Sequence, residues 1–393
     1  MSSVMDAPGR SSVLILGIIA ASLEISGRFG PKRSLLYLPQ HLPSVRSNMA
    51  YTIQGKRVMR RYLLRLLLSF VILAMVPSRV MAQCLPVGDD PAITIDPLKS
   101  SDLETIGLDR VAIFNSMHDT SVPETTGCWA GAAGNFDDQI LSLGFAQWNL
   151  GMGSLQPLLR RYRSSFATTD LFDRELERLA PIYGKLLFSP GCLEARVSAD
   201  CKAALLAHQK RRGYVDDDMA NELNAIFESL PMRQVQTEAF VRLLGRVRKD
   251  LERLFPGGHV SGLQVKWAID SRVQMGFPST TDAIRVRSRY QALSVDGRLA
   301  AMKAMLQWYD GLALSPDQQG ARADAPWNVD QWTCVLNKGI SDEQADLLNL
   351  TFLRSRIAKT KAGYYQAVAF ERRAKIIFGV GSVATRRDGI CRA

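Results

Sequence analysis

The sequence predicts a mainly helical (mainly α) domain of the α+β class, and three observations lead to this prediction. Apolar residues recur at helical spacing over most of the chain after residue 101, as expected for amphipathic helices around a core. One segment, Gly127–Gly153, interrupts this pattern with six glycines among aromatic and polar residues, which is typical of turns and short strands. The 393 residues are 47% hydrophobic and 22% charged, a globular composition that excludes a mainly disordered chain.

A basic cluster and a short apolar stretch in the first part of the chain are typical of a secretory signal peptide. The apolar stretch runs from Leu63 to Val76, Pro77 then ends the helical pattern, and small or moderate side chains precede a cleavage position before Gln83. The stretch is shorter than the roughly 18–20 residues that a membrane span needs, so cleavage is favoured over anchoring. The basic cluster consists of Lys56, Arg57, Arg60 and Arg61.

We therefore predict that residues 1–82 are a leader, with the signal peptide at about 56–82 and the true start at Met49 or Met59. The protein is then periplasmic or secreted and contacts the membrane only transiently. The leader holds 11 of the 49 Lys and Arg residues and two of the 38 acids, so residues 83–393 carry only +2 of the net charge of +11. A nearly neutral folded part argues against a nucleic-acid partner.

The cysteines agree with export to an oxidising compartment. All six lie after the predicted cleavage position, which is consistent with up to three disulfides. Cys192 and Cys201 are the best candidates for a local pair, and the sequence leaves the rest of the connectivity open. No Cys-x-x-Cys motif is present and the histidines are scattered, so we predict no metal site, and no cofactor motif is found.

A short N-terminal segment, 83–101, precedes one domain predicted over 102–393. Its first helix, Asp102–His118, is expected to end near Asp119, because the proline at position 123 disfavours helical geometry for the residue before it. A small β-hairpin is predicted over 133–149, where the glycines are concentrated.

The rest of the domain is predicted to be helical. The longest apolar stripe extends over Met232–Phe255 and stops at a Pro-Gly-Gly sequence. Runs of charge on these helices are interpreted as solvent-exposed faces. The other predicted helices cover roughly 170–188, 195–212, 217–230, 283–308, 342–359 and 362–378.

The glycine-rich segment also holds the residues best suited to chemistry. An acid at the end of the first helix and Asp137 in the hairpin would face each other, with Trp and Asn side chains nearby that can stack on and hydrogen-bond to sugars. Two facing carboxyl groups are the minimum that glycoside hydrolysis requires. The alternative is that Asp137 and Asp138 merely begin a polar turn, and composition alone leaves both interpretations open.

The run GNFDDQILSLGFAQWNLGMGSLQPLL, from Gly134 to Leu159, is long and specific. It resembles a bacterial family, often labelled peptidoglycan-binding, in the lysozyme-like superfamily, and also the chitosanases of that superfamily. Weaker similarity over Asp270–Gly276 and Arg372–Gly381 extends the resemblance to roughly 102–383. The resemblance implies a lysozyme-like helical domain in which the small β-hairpin lines the substrate cleft.

The resemblance also implies catalytic roles for four residues. Asp137 matches the Asp that activates the attacking water in chitosanases, and Ser142 matches a Thr that helps to hold this water. The proton donor of that family is a Glu 18 residues before the Asp, a position that Asp119 occupies here. Glu124, 13 residues before Asp137, is a second candidate for the donor.

The same run supplies predicted substrate-binding residues, which are Asn135, Gln147, Trp148 and Asn149. Trp148 suits a core position equally well. The sequence departs from the family at Asp138 and Ile140, positions that are usually glycine.

Two functions follow from these patterns. The first is a hydrolase of β-1,4-linked amino-sugar polymers, with peptidoglycan or a chitosan-like polysaccharide as the partner and a protonated Asp119 or Glu124 opposite Asp137. The second is a non-catalytic peptidoglycan-binding protein on the same fold. The sequence does not choose between the two polymers and gives no oligomeric state. It contains no phosphate-binding loop or nucleophilic triad at defensible spacing.

Overall fold

The computed structural model describes residues 84–135, 138–210, 213–257, 259–274, 276–313, 324–358, 362–383 and 386–391. The predicted leader lies outside these residues. As predicted, the described part is mainly helical, and its strands form one small three-stranded sheet and one two-stranded sheet. No helix in the described part is both long enough and apolar enough to cross a membrane.

The N-terminal part contains two helices where the sequence predicts one over Asp102–His118. Helix α1 covers Pro97–Glu104 and α2 covers Arg110–Thr125. Gly107, with a φ of 73°, breaks the chain between them, and Asp109 then caps α2 by accepting a hydrogen bond from the Ala112 backbone N–H. The single predicted helix is therefore wrong in both of its bounds.

The remaining helices follow in chain order: α3 (Gln156–Ser164), α4 (Thr169–Leu179), α5 (Tyr183–Leu187), α6 (Pro190–Leu193), α7 (Ala199–Ala207), α8 (Asp217–Glu228), α9 (Leu230–Leu254), α10 (Gly262–Gln274), α11 (Thr280–Gln291), α12 (Val295–Asp310), α13 (Ala325–Lys338), α14 (Asp342–Arg356) and α15 (Ala362–Phe378). The strands are β1 (Ala132–Ala133), β2 (Ser142–Leu143), β3 (Trp148–Asn149), β4 (Gly381–Val383) and β5 (Arg386–Asp388).

Helix α9 is the centre of the packing, and its 25 residues match the predicted stripe over 232–255. Its apolar side chains repeat at helical spacing and are buried on the faces that contact α1, α3, α8, α10 and α11. The buried side chains form one continuous hydrophobic core through the described part of the chain. This core is the rigid support on which the small sheet and the helix ends around it are fixed.

Other predicted helices differ from the structure where a turn divides them. The range 170–188 contains two helices, because Pro181 lies two residues after the end of α4 and has no backbone N–H with which to continue the helix. The range 283–308 is divided at Ser294, which caps α12 with its side chain. The range 195–212 is shortened to α7, whereas 217–230, 342–359 and 362–378 agree with α8, α14 and α15 to within a few residues.

All six cysteines are paired, as the sequence predicts for an exported chain. The disulfides join Cys84 to Cys128, Cys192 to Cys201 and Cys334 to Cys391. The predicted local pair, Cys192 with Cys201, is confirmed and ties α6 to α7. Three disulfides indicate an oxidising environment such as the periplasm or the cell exterior.

Candidate functional site

The predicted hairpin region forms a three-stranded antiparallel sheet in the order β1–β2–β3. Ser142 lies in the middle strand, where it pairs with Ala133 on one side and Asn149 on the other. The strands are only two residues long, so the turns and the side chains between them determine the shape of this region.

The sheet is held on the core by Phe145, which lies in the turn between β2 and β3 and is fully buried. Its ring centroid is 5.5 Å from that of Trp129, 5.1 Å from Trp148 and 5.4 Å from Phe240. Trp148 is 9% exposed and stands edge-on to Phe145. The sequence leaves open whether Trp148 binds substrate or belongs to the core, and in the structure it lies in the core.

Three other predicted site residues stabilise the sheet. Ser142 is only 6% exposed within β2. The Gln147 side-chain amide donates to the backbone carbonyls of Gly131 and Gly144 at 3.1 and 3.0 Å. Asn149 Oδ1 accepts a hydrogen bond from a backbone N–H three residues later, at 2.8 Å. The Gln147 and Asn149 side chains are therefore engaged within the protein itself.

The connection between β1 and β2, which we call the 135–140 loop, has a strained backbone. Asp138 and Ile140 have φ values of 66° and 68°, in the left-handed region that is costly for residues with a side chain and most costly for a β-branched one. Glycine would adopt this geometry without strain at either position. The loop is closed by a hydrogen bond of 2.7 Å from the Ile140 N–H to Asn135 Oδ1. The predicted base, Asp137, lies outside the described residues.

Helix α2 extends beyond its predicted end and changes the environment of the two candidate acids. It continues through Pro123 to Thr125, because its inner face is buried and packing overrides the local preference of the residue before the proline. Asp119 therefore lies within α2, and the prediction that it lies at the helix end is wrong. Its side chain is 57% exposed, and its Oδ2 lies 3.6 Å from the Lys266 Nζ of α10. Glu124 lies instead in the last turn.

Four charged side chains from three helices meet at this helix end, and we call them the carboxylate–guanidinium cluster: Glu124 of α2, Asp270 of α10, and Arg372 and Arg373 of α15. Arg372 Nη1 donates to Glu124 Oε1 at 2.5 Å, and its Nε donates to Asp270 Oδ1 at 2.9 Å. Arg373 Nε lies 3.4 Å from Asp270 Oδ2. The side chain of Glu124 is 19% exposed, that of Asp270 11%, that of Arg372 8% and that of Arg373 0%.

Two carboxylates and two guanidiniums balance the charge of this cluster. Burial by itself lowers the pKa of Arg372, but the Asp270 and Glu124 carboxylates outweigh it and hold the pKa above its ordinary value. Burial lowers the pKa of Arg373 to about 10, so this side chain also stays charged at neutral pH. Among the described residues, Arg372 bonds to Oε1 of Glu124, so this oxygen is anchored.

The end of α2 and the start of the sheet are neighbours in space. A Cβ atom at Gly131, which immediately precedes β1, would come within 2.5 Å of the Thr125 side chain. Glycine is therefore required at this position, and β1 begins directly against the last residue of α2. Glu124 is the residue before Thr125 in the chain.

A second buried acid lies one residue before the two arginines. Glu371 is 4% exposed and accepts a hydrogen bond of 2.7 Å from the Tyr309 hydroxyl of α12. The Asn328 amide donates to the same hydroxyl at 3.3 Å and to the Ser382 carbonyl at 2.9 Å. Burial raises the pKa of Glu371 to about 7, with a further contribution from Asp324 that the Tyr309 hydroxyl partly opposes.

The sequence assigns no roles to Asp270, Arg372 or Arg373. They belong to the two segments of weaker similarity, Asp270–Gly276 and Arg372–Gly381. Two adjacent arginines on a helix whose other residues are largely apolar are an observable signal, because buried guanidiniums require carboxylate partners. Their partners are far away in the sequence, so spacing could not identify them. Among the described residues, no group of three or more His, Cys, Asp or Glu side chains is arranged to hold a metal ion.

The described residues form a mainly helical domain with a buried carboxylate–guanidinium cluster and a small sheet whose connecting loop is strained. The chain matches no family model, and neither curated proteins nor solved structures give a match to it.

Proposed function

We propose that the protein is a secreted or periplasmic glycan hydrolase that cleaves β-1,4-linked amino-sugar polymers, peptidoglycan or a chitosan-like polysaccharide, on a lysozyme-like fold. The observation that carries this proposal is the anchored carboxyl group of Glu124, held by Arg372 in the last turn of α2. Acid catalysis of glycoside cleavage requires a carboxyl group fixed beside the substrate that carries a proton. Glu124 is paired as a carboxylate with Arg372 in this structure, so in the proposed reaction it takes up a proton before it acts.

Glu124 is the proton donor in this proposal, and three observations favour it over Asp119. Its side chain is 19% exposed against 57% for Asp119 and is therefore more closely held by the protein. Its Oε1 is fixed by Arg372, whereas Asp119 has only a loose surface contact with Lys266. It is also the residue before Thr125, which packs against Gly131 at the start of β1.

Asp137 is the base that activates water on the opposite side of the sugar. Its place in the sequence, in a strained loop that begins just after β1, supports this role, because strain that the surroundings hold in place is concentrated at functional sites. Water attack from this side gives an inverting reaction, which requires carboxyl groups roughly 6.5–9.5 Å apart.

The second candidate function is glycan binding without hydrolysis. The observation that favours it is the burial of Ser142, which leaves the hydroxyl proposed to hold the attacking water only 6% exposed. A protein that binds without cleaving would keep the cleft of a lysozyme-like fold. It would stay bound to the polymer and release no new reducing ends.

The deciding experiment uses the full chain, produced with export so that its disulfides form, and measures reducing ends released from peptidoglycan and from chitosan. We expect activity on one polymer, and a loss of about 10²–10⁴-fold in Glu124→Gln and in Asp137→Asn. Asp119→Asn is the matched control and should retain activity. Retention on a polymer with no release of reducing ends would establish the binding function instead. Loss of activity in Asp119→Asn but not in Glu124→Gln would assign the donor to Asp119.

A further inference from the structure

Helix α9 carries a row of basic side chains on the face that points away from the core. Arg242, Arg246, Lys249 and Arg253 follow one another at intervals of four, three and four residues, so they lie on one side of the helix. All four are exposed to solvent. At a rise of about 1.5 Å per residue, this row, which we call the basic stripe, extends over about 16 Å.

The positive charge of the basic stripe is poorly balanced by its neighbours. Within the part of the chain that the structure describes, Arg246 and Lys249 form no ion pair, and Arg242 Nη1 only approaches Glu238 Oε2, at 4.0 Å. Glu238 is already held by two hydrogen bonds from Arg161 of α3, at 3.0 and 3.3 Å. Its charge is therefore largely used by another cation.

Helix α10 adds a further cation to the same surface. The Asp250 side chain is only 3% exposed and pairs with both Arg253 and Arg272 of α10, so one carboxylate serves two guanidiniums. Burial lowers the pKa of Arg272, and repulsion from Arg246 lowers it further, because the positive charges crowd one another here. A surface on which cations outnumber carboxylates attracts anions.

The shape and composition of this surface indicate the kind of anion. A straight row of separate charges suits a polymer with repeated anionic groups better than a single small ion. Among the described residues, the large apolar side chain exposed on α9 is Leu230, at the far end of the helix, so the basic stripe offers no group that would insert into a membrane. The three disulfides indicate folding outside the cytosol, away from nucleic acids.

We propose that the basic stripe, together with Arg272, is a docking surface for an acidic wall glycan and binds the carboxylates along its strand. The partner is peptidoglycan, whose peptide substituents carry carboxylates that pair with guanidinium and ammonium groups. Chitosan carries amines, which the same surface repels. The choice of polymer rests on the proposed function, since it selects one of the two substrates named there.

This docking surface is separate from the carboxylate–guanidinium cluster. Arg272 turns towards Asp250 of α9, whereas Asp270, two residues earlier on the same helix, turns towards Arg372 of α15. The two residues therefore face different sides of α10. Docking and cleavage can accordingly be lost independently, and binding can be measured without any reaction.

The test measures sedimentation of the full, disulfide-bonded chain with insoluble peptidoglycan at low ionic strength. The variant carries Arg242→Gln, Arg246→Gln and Lys249→Gln together. The other cations stay, because they neutralise the buried Asp250. We expect the Kd to rise by about 10-fold, since three exposed charge contacts of modest strength are lost.

A matched control removes the same charge elsewhere. Lys99, Arg174 and Lys185 lie on α1, α4 and α5, are each more than half exposed, and each pair with a carboxylate of their own surroundings. Their combined replacement by Gln should change the Kd by less than about 2-fold. The control thus separates a loss of the basic stripe from a loss of net charge.

Two changes to the conditions test the chemistry of the contact. Raising the ionic strength from about 0.01 M to about 1 M shortens the screening length from about 30 Å to about 3 Å, and should bring the unmodified protein close to the stripe variant. Amidation of the carboxylates of peptidoglycan should weaken binding of the unmodified protein and leave that of the stripe variant nearly unchanged.

The outcomes separate this inference from the proposed function. A chain that cleaves neither polymer, but loses binding to peptidoglycan in the stripe variant alone, overturns the proposed function and supports the docking surface. Equal binding of the two triple variants overturns the docking surface, whatever the activity. A larger loss on vesicles of phosphatidylglycerol than on peptidoglycan would assign the stripe to a membrane and also overturn it.

Discussion

Helix α15 carries two buried acid–base environments within three consecutive residues, and the protein stabilises them in different ways. Towards α2 and α10, Arg372 and Arg373 meet the Glu124 and Asp270 carboxylates, so burial is compensated by opposite charge. Towards α12 and α13, Glu371 meets the neutral Tyr309 hydroxyl, so burial is compensated by a raised pKa that favours the protonated acid. The comparison shows that one helix can bury ionised and neutral acids side by side, provided that each has partners of the right kind.

The largest effect is expected from breaking the ionised environment. Arg372→Met leaves Glu124 and Asp270 partly buried without their main partner, which should lower the free energy of unfolding by about 3–5 kcal/mol. Urea unfolding measures this loss. The control is Arg174→Met, which breaks the exposed pair with Asp170 and should cost no more than about 1 kcal/mol. Equal losses in the two variants would show that the cluster is no stronger than a surface ion pair.

The neutral environment should give stability a pH dependence. The pKa of Glu371 is raised from 4.5 to about 7, so the folded state keeps a proton that the unfolded state releases. Stability should therefore fall as the pH rises from about 4.5 to about 7 and then level off, by a total of the order of 3 kcal/mol. Glu371→Gln should remove this fall. Urea unfolding between pH 4.5 and 8 measures both curves, and curves that stay parallel would refute the assignment.

A smaller change tests the partner of Glu371. Tyr309→Phe removes the hydroxyl that donates to Glu371 and accepts from Asn328, which should cost about 1–2 kcal/mol. Because this hydrogen bond lowers the pKa of Glu371, its loss should move the upper end of the pH-dependent window above pH 7. The same pH series detects the shift. A window that moves downwards would mean that the hydroxyl stabilises the protonated acid.

The smallest effect on the free energy of unfolding is expected at the end of α2, where a substitution relieves backbone strain and changes no charge. Thr126 has a φ of 59° just after the helix, a position where glycine is preferred. Thr126→Gly should raise the free energy of unfolding by about 0.5–1 kcal/mol. Thr105→Gly is the control, because Thr105 has an ordinary φ of −59° and glycine should destabilise there. Thermal unfolding of both variants should give changes of opposite sign.

The sequence predicted the features that depend on local periodicity and composition. The stripe that became α9, the disulfide-bonded cysteines and the small sheet after the first helices could all be identified from neighbouring residues. The end of α2 could not, because burial of Met117 and Thr120 outweighs the local effect of Pro123.

The candidate site was predictable only in part, for a related reason. The strained positions Asp138 and Ile140 were noticed as departures from glycine, and the structure supplies their physical meaning. The contacts of Glu124 with Arg372, and of Gln209 with Ile140 in the 135–140 loop, join positions separated by 248 and 69 residues. No pattern of spacing within a single sequence specifies pairs at such separations.

The disulfide between Cys84 and Cys128 has a consequence for the cell that makes this protein. It closes a loop spanning 44 positions and fixes the chain just beyond Glu124, with a contribution to stability of about 4 kcal/mol. Cytosolic thiols are kept reduced, so a newly made chain lacks this tether until it is exported. If the chain cleaves wall polymers as proposed, formation of this bond outside the cytosol would couple completion of the site to export.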